Sequence, residues 1–184
     1  NVLNHLGINL YSNLPSVLSE IVANAWDADA SEVKVNIDKE AKTITIIDNG
    51  CGMSLRDIND KYLYVGYQKR NDPSYKENPL TPKYKRLPMG RKGIGKLSVF
   101  SIANTVEVYS VKGNDKNGFI MSADDIRNIF DGDKEKQLSY LPTPIAFEKI
   151  DLAQGTKIVL KDLKRNVRSL AFSRKRLARR FSVI

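Results

Sequence analysis

Between Asn13 and Asp48 the apolar positions change their period, and that change restricts the fold more than any other feature. Leu14, Val17, Leu18, Ile21, Val22 and Ala25 recur at a three-to-four spacing, which predicts an amphipathic helix running to about Ala28. Asn13-Leu14-Pro15 suits its start, because proline near the first helical position gives up an N–H that has no helical partner there. The period then falls to two. Glu32 to Asp38, with Val33, Val35 and Ile37 apolar, and Thr43 to Asp48 predict two strands joined by the polar turn 39–42. A helix with one apolar stripe and a hairpin with one apolar face bury both by stacking, as a helix layer on a sheet.

The remaining pattern extends that arrangement. Ser54 to about Leu63 reads as a short helix capped by Ser54, and Ile94 to Ala103 as another helix. Thr105 to Val111 and Gly118 to Ser122 form a second hairpin, followed by a short helix at 123–130, a proline-containing connection and a strand at Thr156 to Leu160. Strands that follow one another in hairpins predict an α/β fold with a mixed, mostly antiparallel sheet and helices on one face. Gln68 to Met89 holds four prolines, is rich in basic residues and has no period, which predicts a long mobile loop. Roughly 20 structureless residues inside a compact domain read as a lid over a site or as an insert, and the lid is preferred. Residues 1–162 are expected to be one domain, and 163–184 a basic, helical linker that stops without a cap, where a further domain is expected to begin.

Composition narrows the chemistry. A single cysteine, Cys51, excludes an intrachain disulfide, and with one histidine, His5, the chain lacks ligands for a Cys/His zinc site, so a metal would be held by oxygens. No run approaches the roughly 18 apolar residues of a membrane span, and no signal peptide opens the chain at Asn1; a cytoplasmic segment cut from a longer protein is expected, with no membrane partner. The net charge of +9 is segregated: windows 69–96 and 163–184 carry +7 and +8, leaving the remainder acidic. Two such windows suit phosphate, on a ligand or on a nucleic acid, and equally suit a solvated charged face.

Four motifs carry candidate chemistry. Glu20, Asn24 and Asp27 sit at i, i+4 and i+7 of the first helix, within an arc of about 60°. A carboxylate one turn from a carboxamide can divide labour, Glu20 orienting and deprotonating a water while the Asn24 oxygen coordinates a hard cation such as Mg²⁺. Taken alone, the three equally describe a solvated helix face. Asp48-Asn49-Gly50-Cys51-Gly52-Met53 follows the second strand, delivering a carboxylate to its end before two glycines that let a flat ligand approach the backbone; a tight turn uses the same residue types. Cys51 reads as a small buried residue without a catalytic role. Gly90-Arg91-Lys92-Gly93-Ile94-Gly95-Lys96-Leu97-Ser98 offers free backbone N–H groups at a helix start, suited to anionic oxygens. It is not a Walker A loop, since Leu97 stands where Ser or Thr is needed and no strand precedes Gly90, and Ser98 breaks the GxGxxG patterns. Gly155-Thr156-Lys157-Ile158 opens the last strand, where a threonine is ordinary strand chemistry.

The order of these four motifs, over about residues 14–160, resembles the GHKL ATPases, which include DNA gyrase B subunits, ninety-kilodalton heat-shock chaperones, histidine kinases and MutL. Glu20-Ile-Val-Ala-Asn24-Ala-Trp-Asp27-Ala28 is similar to that family's first box, Asp48-Asn-Gly50-Cys-Gly52 to its adenine box, and Gly90 to Gly95 to its glycine box after an ATP lid. The resemblance implies a Bergerat-type two-layer sandwich, with Glu20 as general base, Asn24 as Mg²⁺ ligand, Asp48 as acceptor for the adenine amino group and Thr156 supporting the base through water. It also implies that Asp27, Gly50, Gly52, Met53, Gly90, Lys92, Gly93, Ile94, Gly95 and Lys96 line the nucleotide, with ATP and Mg²⁺ bound and ADP released. Glu20 points to the hydrolysing branches rather than the histidine kinases, and the long basic lid and Gly-Arg-Lys-Gly-Ile-Gly-Lys segment are similar to chaperone-like, MutL-like and MORC-like members. Slow hydrolysis driving lid closure and an ATP-dependent homodimer is the leading expectation. The alternative is a nucleic-acid-binding module using the basic lid and tail, with a regulatory or degenerate nucleotide site.

Overall fold

The computed structural model describes residues 14–64, 77–90, 95–126 and 141–164, with residue 175 and residues 177–179 near the C-terminus. Helix α1 spans Leu14–Asp27 and buries Val17, Leu18, Ile21 and Ala25, four of the six residues its periodicity singled out, while Leu14 and Val22 are half-buried. Burying a leucine such as Leu18 contributes about 1.5–3 kcal/mol, so this stripe anchors the helix layer.

Strands β1 (Val33–Asp38) and β2 (Thr43–Asp48) form the expected hairpin. Asp38 closes its turn by accepting the Glu40 and Ala41 N–H groups at 2.9 and 2.8 Å, and Lys42 takes a left-handed φ of 50°. Strands β3 (Ala103–Lys112) and β4 (Asp115–Ser122) form the second hairpin, β5 (Thr143–Pro144) adds a two-residue edge, and β6 spans Gly155–Leu163. The sheet order is β1-β2-β6-β3-β4-β5, and each of its pairings is antiparallel. The last strand in sequence therefore lies at the centre, its length shared between β2 and β3.

Alternation along the strands separates two faces. Ile44 and Ile46 of β2, Val106 and Val108 of β3, Phe119 and Met121 of β4, and Ile158 and Leu160 of β6 join Val17, Leu18, Ile21, Val99 and Phe100 in one cluster. The opposite face carries polar neighbours: Lys161 pairs with Glu107 at 2.6 Å, and the Lys157 ammonium stands 4.9 Å from the Tyr109 ring. Helices thus cover one side of an antiparallel sheet, the α/β two-layer arrangement expected.

Two local elements differ from their α-helical expectation. Ser54 does cap a helix, reciprocally with Asp57, but α2 covers Leu55–Asp57 and widens into a π-type turn at Ile58–Tyr62. That wider turn coexists with burial of Ile58 and an edge-on contact of Tyr62 with Phe119 at 5.7 Å. The segment expected as a helix at 94–103 is a 3-10 helix over Gly95–Ser101. Three residues per turn stack Ser98 under Ser101, whose hydroxyl donates to the Ser98 carbonyl at 2.7 Å, and the tighter winding still buries Val99 and Phe100. Residues 123–126 are helical as expected, and 127–130 and most of 165–181 lie outside the described residues, although 175 and 177–179 are helical and Leu177 packs against the core.

Candidate functional site

Strand register brings the second and fourth motifs together. Asp48, the last residue of β2, is the partner of Thr156 on β6, which is in turn the partner of Ser110 on β3. All three sit on the helix-covered face and are buried, so a row of polar side chains crosses three strands at one end of an otherwise apolar layer. The Asp48 carboxylate accepts the Gly50 N–H at 2.9 Å and the Thr156 N–H. Burial raises its pKa above the usual 3.8, and these two N–H groups oppose that rise without cancelling it.

The turn after Asp48 is fastened on every side. Asn49 faces away from the row, accepting the Ser31 and Glu32 N–H groups at 2.9 Å each and donating to the Ser31 hydroxyl. Cys51 N–H donates to Ala28 O at 2.7 Å, and Met53 N–H to the Ser110 hydroxyl at 2.8 Å. The two glycines are needed for the turn's own packing: a Cβ on Gly50 would lie 2.7 Å from Ala28 O, and one on Gly52, at φ +66°, would lie 2.0 Å from Val111 O. Sequence reasoning offered these glycines both for ligand approach and for a tight turn; the structure shows their close backbone packing, against Ala28 just past α1 and against β3. Cys51 is exposed rather than buried, contrary to its sequence reading, yet partial desolvation of its sulfur, with the Asp48, Asp29 and Asp57 charges nearby, pushes its thiol pKa up against the opposing Lys112 charge.

The first and third motifs also meet. Asp27, at the end of α1, accepts Met89 N–H at 2.7 Å through Oδ1 and Gly90 N–H at 3.2 Å through Oδ2. A Cβ at Gly90 would lie 2.9 Å from Asp27 Oδ2 and 3.8 Å from Asn24 Oδ1, which places the Asn24 oxygen beside the start of the glycine segment. Asn24 is exposed, and Glu20 stands one turn earlier on the same helix edge, half-buried. Lys92, Gly93 and Ile94 lie outside the described residues, and Gly95 and Lys96 begin the 3-10 helix.

The expected lid is, over its described half, a docked segment. Asp29, two residues beyond Asp27 and left-handed at φ 58°, accepts the Lys83 and Tyr84 N–H groups at 2.7 and 3.2 Å. Burial works to raise its pKa, but the bonds from Thr81, Lys83 and Tyr84 and the Arg86 charge outweigh it, and the pKa falls below 3.8. The Arg86 guanidinium lies 4.2 Å from the Trp26 ring and 4.4 Å from the Tyr84 ring, and donates to Ala30 O at 2.7 Å. Trp26 Nε1–H donates to Leu87 O at 3.1 Å. Sequence reasoning missed Asp29, Trp26 and Arg86; an Asp-x-Asp pair directly after a helix was the available signal, since both carboxylates can take N–H groups of an incoming segment.

The chain matches the family model described as histidine kinase-, DNA gyrase B-, and HSP90-like ATPase over residues 11–156. It is 43% identical over its whole length to the putative type II restriction enzyme HgiDII of Herpetosiphon aurantiacus, of which it covers 28%. It is 30% identical over 149 residues, 70% of its length, to the chaperone protein HtpG of Campylobacter jejuni subsp. doylei, of which it covers 24%. With HtpG of Halorhodospira halophila the identity is 31% over 123 residues. The chain therefore spans about a quarter of the length of these relatives. Among the described residues no helix is long and apolar enough to cross a membrane.

Proposed function

From the premise that the chain belongs to the histidine kinase-, DNA gyrase B- and HSP90-like ATPase family, we propose that it binds ATP with Mg²⁺ and hydrolyses it slowly, as the nucleotide-driven switch of a larger protein. The observation that carries this reading is the buried Asp48 carboxylate beside Thr156 at one end of the apolar layer. Asp48 accepts the adenine amino group, and Thr156 supports the base through water. Guanine presents an oxygen where adenine presents the amino group, so the carboxylate rejects it.

The phosphates extend from there toward Asn24, Asp27 and the Gly90–Gly95 segment, with Lys92 and Lys96 supplying positive charge. The described residues hold no group of three or more His, Cys, Asp or Glu side chains that could hold a metal. Mg²⁺ takes few protein ligands and completes its shell with phosphates and water. Asn24 would supply the protein oxygen to the cation, which would neutralise phosphate charge. Glu20 orients a water and takes its proton as the water oxygen forms a bond to the γ-phosphorus; the bond to the β–γ bridging oxygen breaks, and ADP and phosphate leave.

Likeness to a putative type II restriction enzyme over the whole chain supports DNA as the target of the larger protein. Lid closure and an ATP-dependent homodimer are the movements that hydrolysis would control, in a cytoplasmic setting. A nucleic-acid module with a regulatory nucleotide site is separated by salt, because phosphate-backbone binding weakens steeply with ionic strength. Calorimetry on the 184-residue chain tests the main reading. We expect ATP to bind at least tenfold more tightly than GTP, consistent with about 1.5–3 kcal/mol for a charge-assisted hydrogen bond, and Glu20→Ala to retain Mg-ATP binding while losing hydrolysis. Equal affinities for the two nucleotides would remove Asp48 from base recognition.

A further inference from the structure

Gln154, two residues before Thr156, belongs to none of the four motifs, yet its side-chain amide joins three loops at the Asp48 end of the sheet. Nε2 donates to Gly50 O at 3.2 Å and to Cys51 O at 2.9 Å. Oε1 accepts the Gly113 N–H of the β3–β4 turn at 3.3 Å. The other fastenings of the Asp48–Met53 turn use its N–H groups and the Asn49 side chain: Gly50 N–H to Asp48, Cys51 N–H to Ala28 and Met53 N–H to Ser110. Gln154 takes two of its carbonyls.

That division matters because a peptide unit is planar, and the Gly50 carbonyl shares one plane with the Cys51 N–H. Gln154 on that carbonyl and Ala28 O on that N–H therefore hold the Gly50–Cys51 unit from both sides, leaving only the φ and ψ of Gly50 between it and the Gly50 N–H on Asp48 Oδ1. Glycine supplies no side chain to restrict those two angles. A second constraint arrives along β6, since the Thr156 N–H also lies on the Asp48 carboxylate. One short stretch, Gln154-Gly155-Thr156, thus grips the acceptor directly and through its neighbouring peptide. Gly155 makes the approach feasible: at φ +100°, a Cβ there would lie 2.1 Å from Asp48 O.

We propose that Gln154 is a positioning residue of the nucleotide site, holding the carbonyls of Gly50 and Cys51 against the β3–β4 turn so that the Asp48 carboxylate points at the base and discriminates adenine from guanine. The proposal rests on the reading of Asp48 as the base acceptor. Base discrimination depends on a hydrogen bond held to within a fraction of an ångström, so loosening its support lowers the preference for the correct base more than binding of both bases together.

The test is calorimetric titration of the 184-residue chain with ATP and with GTP, for wild type and for Gln154→Ala, Gln154→Glu and Gln154→Arg, beside thermal melting of each. Gln154→Ala is expected to lose about five- to tenfold in ATP affinity, the scale of one or two neutral hydrogen bonds, with a reduced ATP-to-GTP ratio. Gln154→Glu should lose more, because it sets a carboxylate against two carbonyl oxygens. Gln154→Arg, which restores donors to both carbonyls, should recover most of the ratio. Merely structural damage lowers both affinities together and leaves the ratio intact. A wild-type preference for ATP that persists unchanged in Gln154→Ala overturns the role of Gln154 alone, whereas a wild type without preference overturns it together with the Asp48 reading. Should Gln154→Ala fail to melt cooperatively, the Gln154→Arg ratio decides: recovery supports the proposal, and a ratio as low as that of Gln154→Glu overturns it.

Discussion

A carboxylate that is 8% exposed, as Asp48 is, hinders folding when it is ionised. Its folded pKa is raised above 3.8 by burial, so as pH rises the unfolded chain loses this proton first. Its contribution to stability is therefore greatest below 3.8 and declines as pH rises through the folded value. Asp48→Asn removes the charge and keeps an oxygen for the Gly50 and Thr156 N–H groups. We expect it to melt at or above the wild-type temperature at pH 7, with no such advantage below pH 4, and to bind ATP at least tenfold more weakly. A large fall in melting temperature at pH 7 would show that the charge supports the fold instead. Asp48 was legible in sequence because its site combines a strand end, a carboxylate and a glycine-rich turn. Gln154 was not legible, because a glutamine in a loop acquires meaning only when three separate carbonyl and N–H partners converge on it. Gly52 was recognised, for a ligand or a tight turn, but its closeness to the Val111 carbonyl was not, since spacing cannot report which backbone passes nearby.

At the scale of elements, periodicity found α1 and both hairpins because each buries one face, which is the property a period records. It failed where hydrogen bonding rather than burial selects the winding, as in the 3-10 helix at Gly95–Ser101, and where two residues suffice for a strand, as in β5. The segment 77–90 failed differently. Prolines and lysines give it no period, but Asp27 and Asp29 satisfy four of its N–H groups, so its order comes from α1 and the turn beyond it. Asp29→Ala leaves the Lys83 and Tyr84 N–H groups without this acceptor. Bonds to a charged partner are worth about 1.5–3 kcal/mol each, so exchange of those two amides should accelerate at least tenfold while the β3 and β6 amides keep their protection; unchanged exchange at Lys83 and Tyr84 would deny Asp29 its part in docking. The pH dependence carries the sign opposite to that of Asp48. The Asp29 pKa is lowered, so its contribution is complete above 3.8 and is lost as pH falls through the folded value, leaving the segment docked at pH 5.

The whole molecule depends on a placement that local sequence does not encode: β6, the last strand, lies between β2 and β3 and so carries Thr156 to Asp48. Hairpin periodicity orders neighbours in sequence, whereas strand insertion is decided by which apolar faces remain to be covered, and the four-motif resemblance anticipated this meeting where the pattern alone did not. On the proposed reading the site holds adenine, a cation and phosphates, yet phosphoryl transfer also needs positive charge on the γ-phosphate as its transition state forms. Lys92 and Lys96 lie in the glycine segment, where the proposed reading gives them to ground-state phosphate. The resemblance to MutL and gyrase implies a lysine supplied by another domain, and the chain spans about a quarter of the length of the relatives HgiDII and HtpG. Residues 1–184 are therefore expected to bind ATP as a monomer and to hydrolyse it very slowly, while a longer protein carrying the adjoining domains dimerises with ATP and turns over faster. Turnover per site and light scattering, measured side by side, decide this. Equal rates, with the 184-residue chain monomeric throughout, would place the missing charge within these residues and make Lys92 and Lys96 the groups to replace.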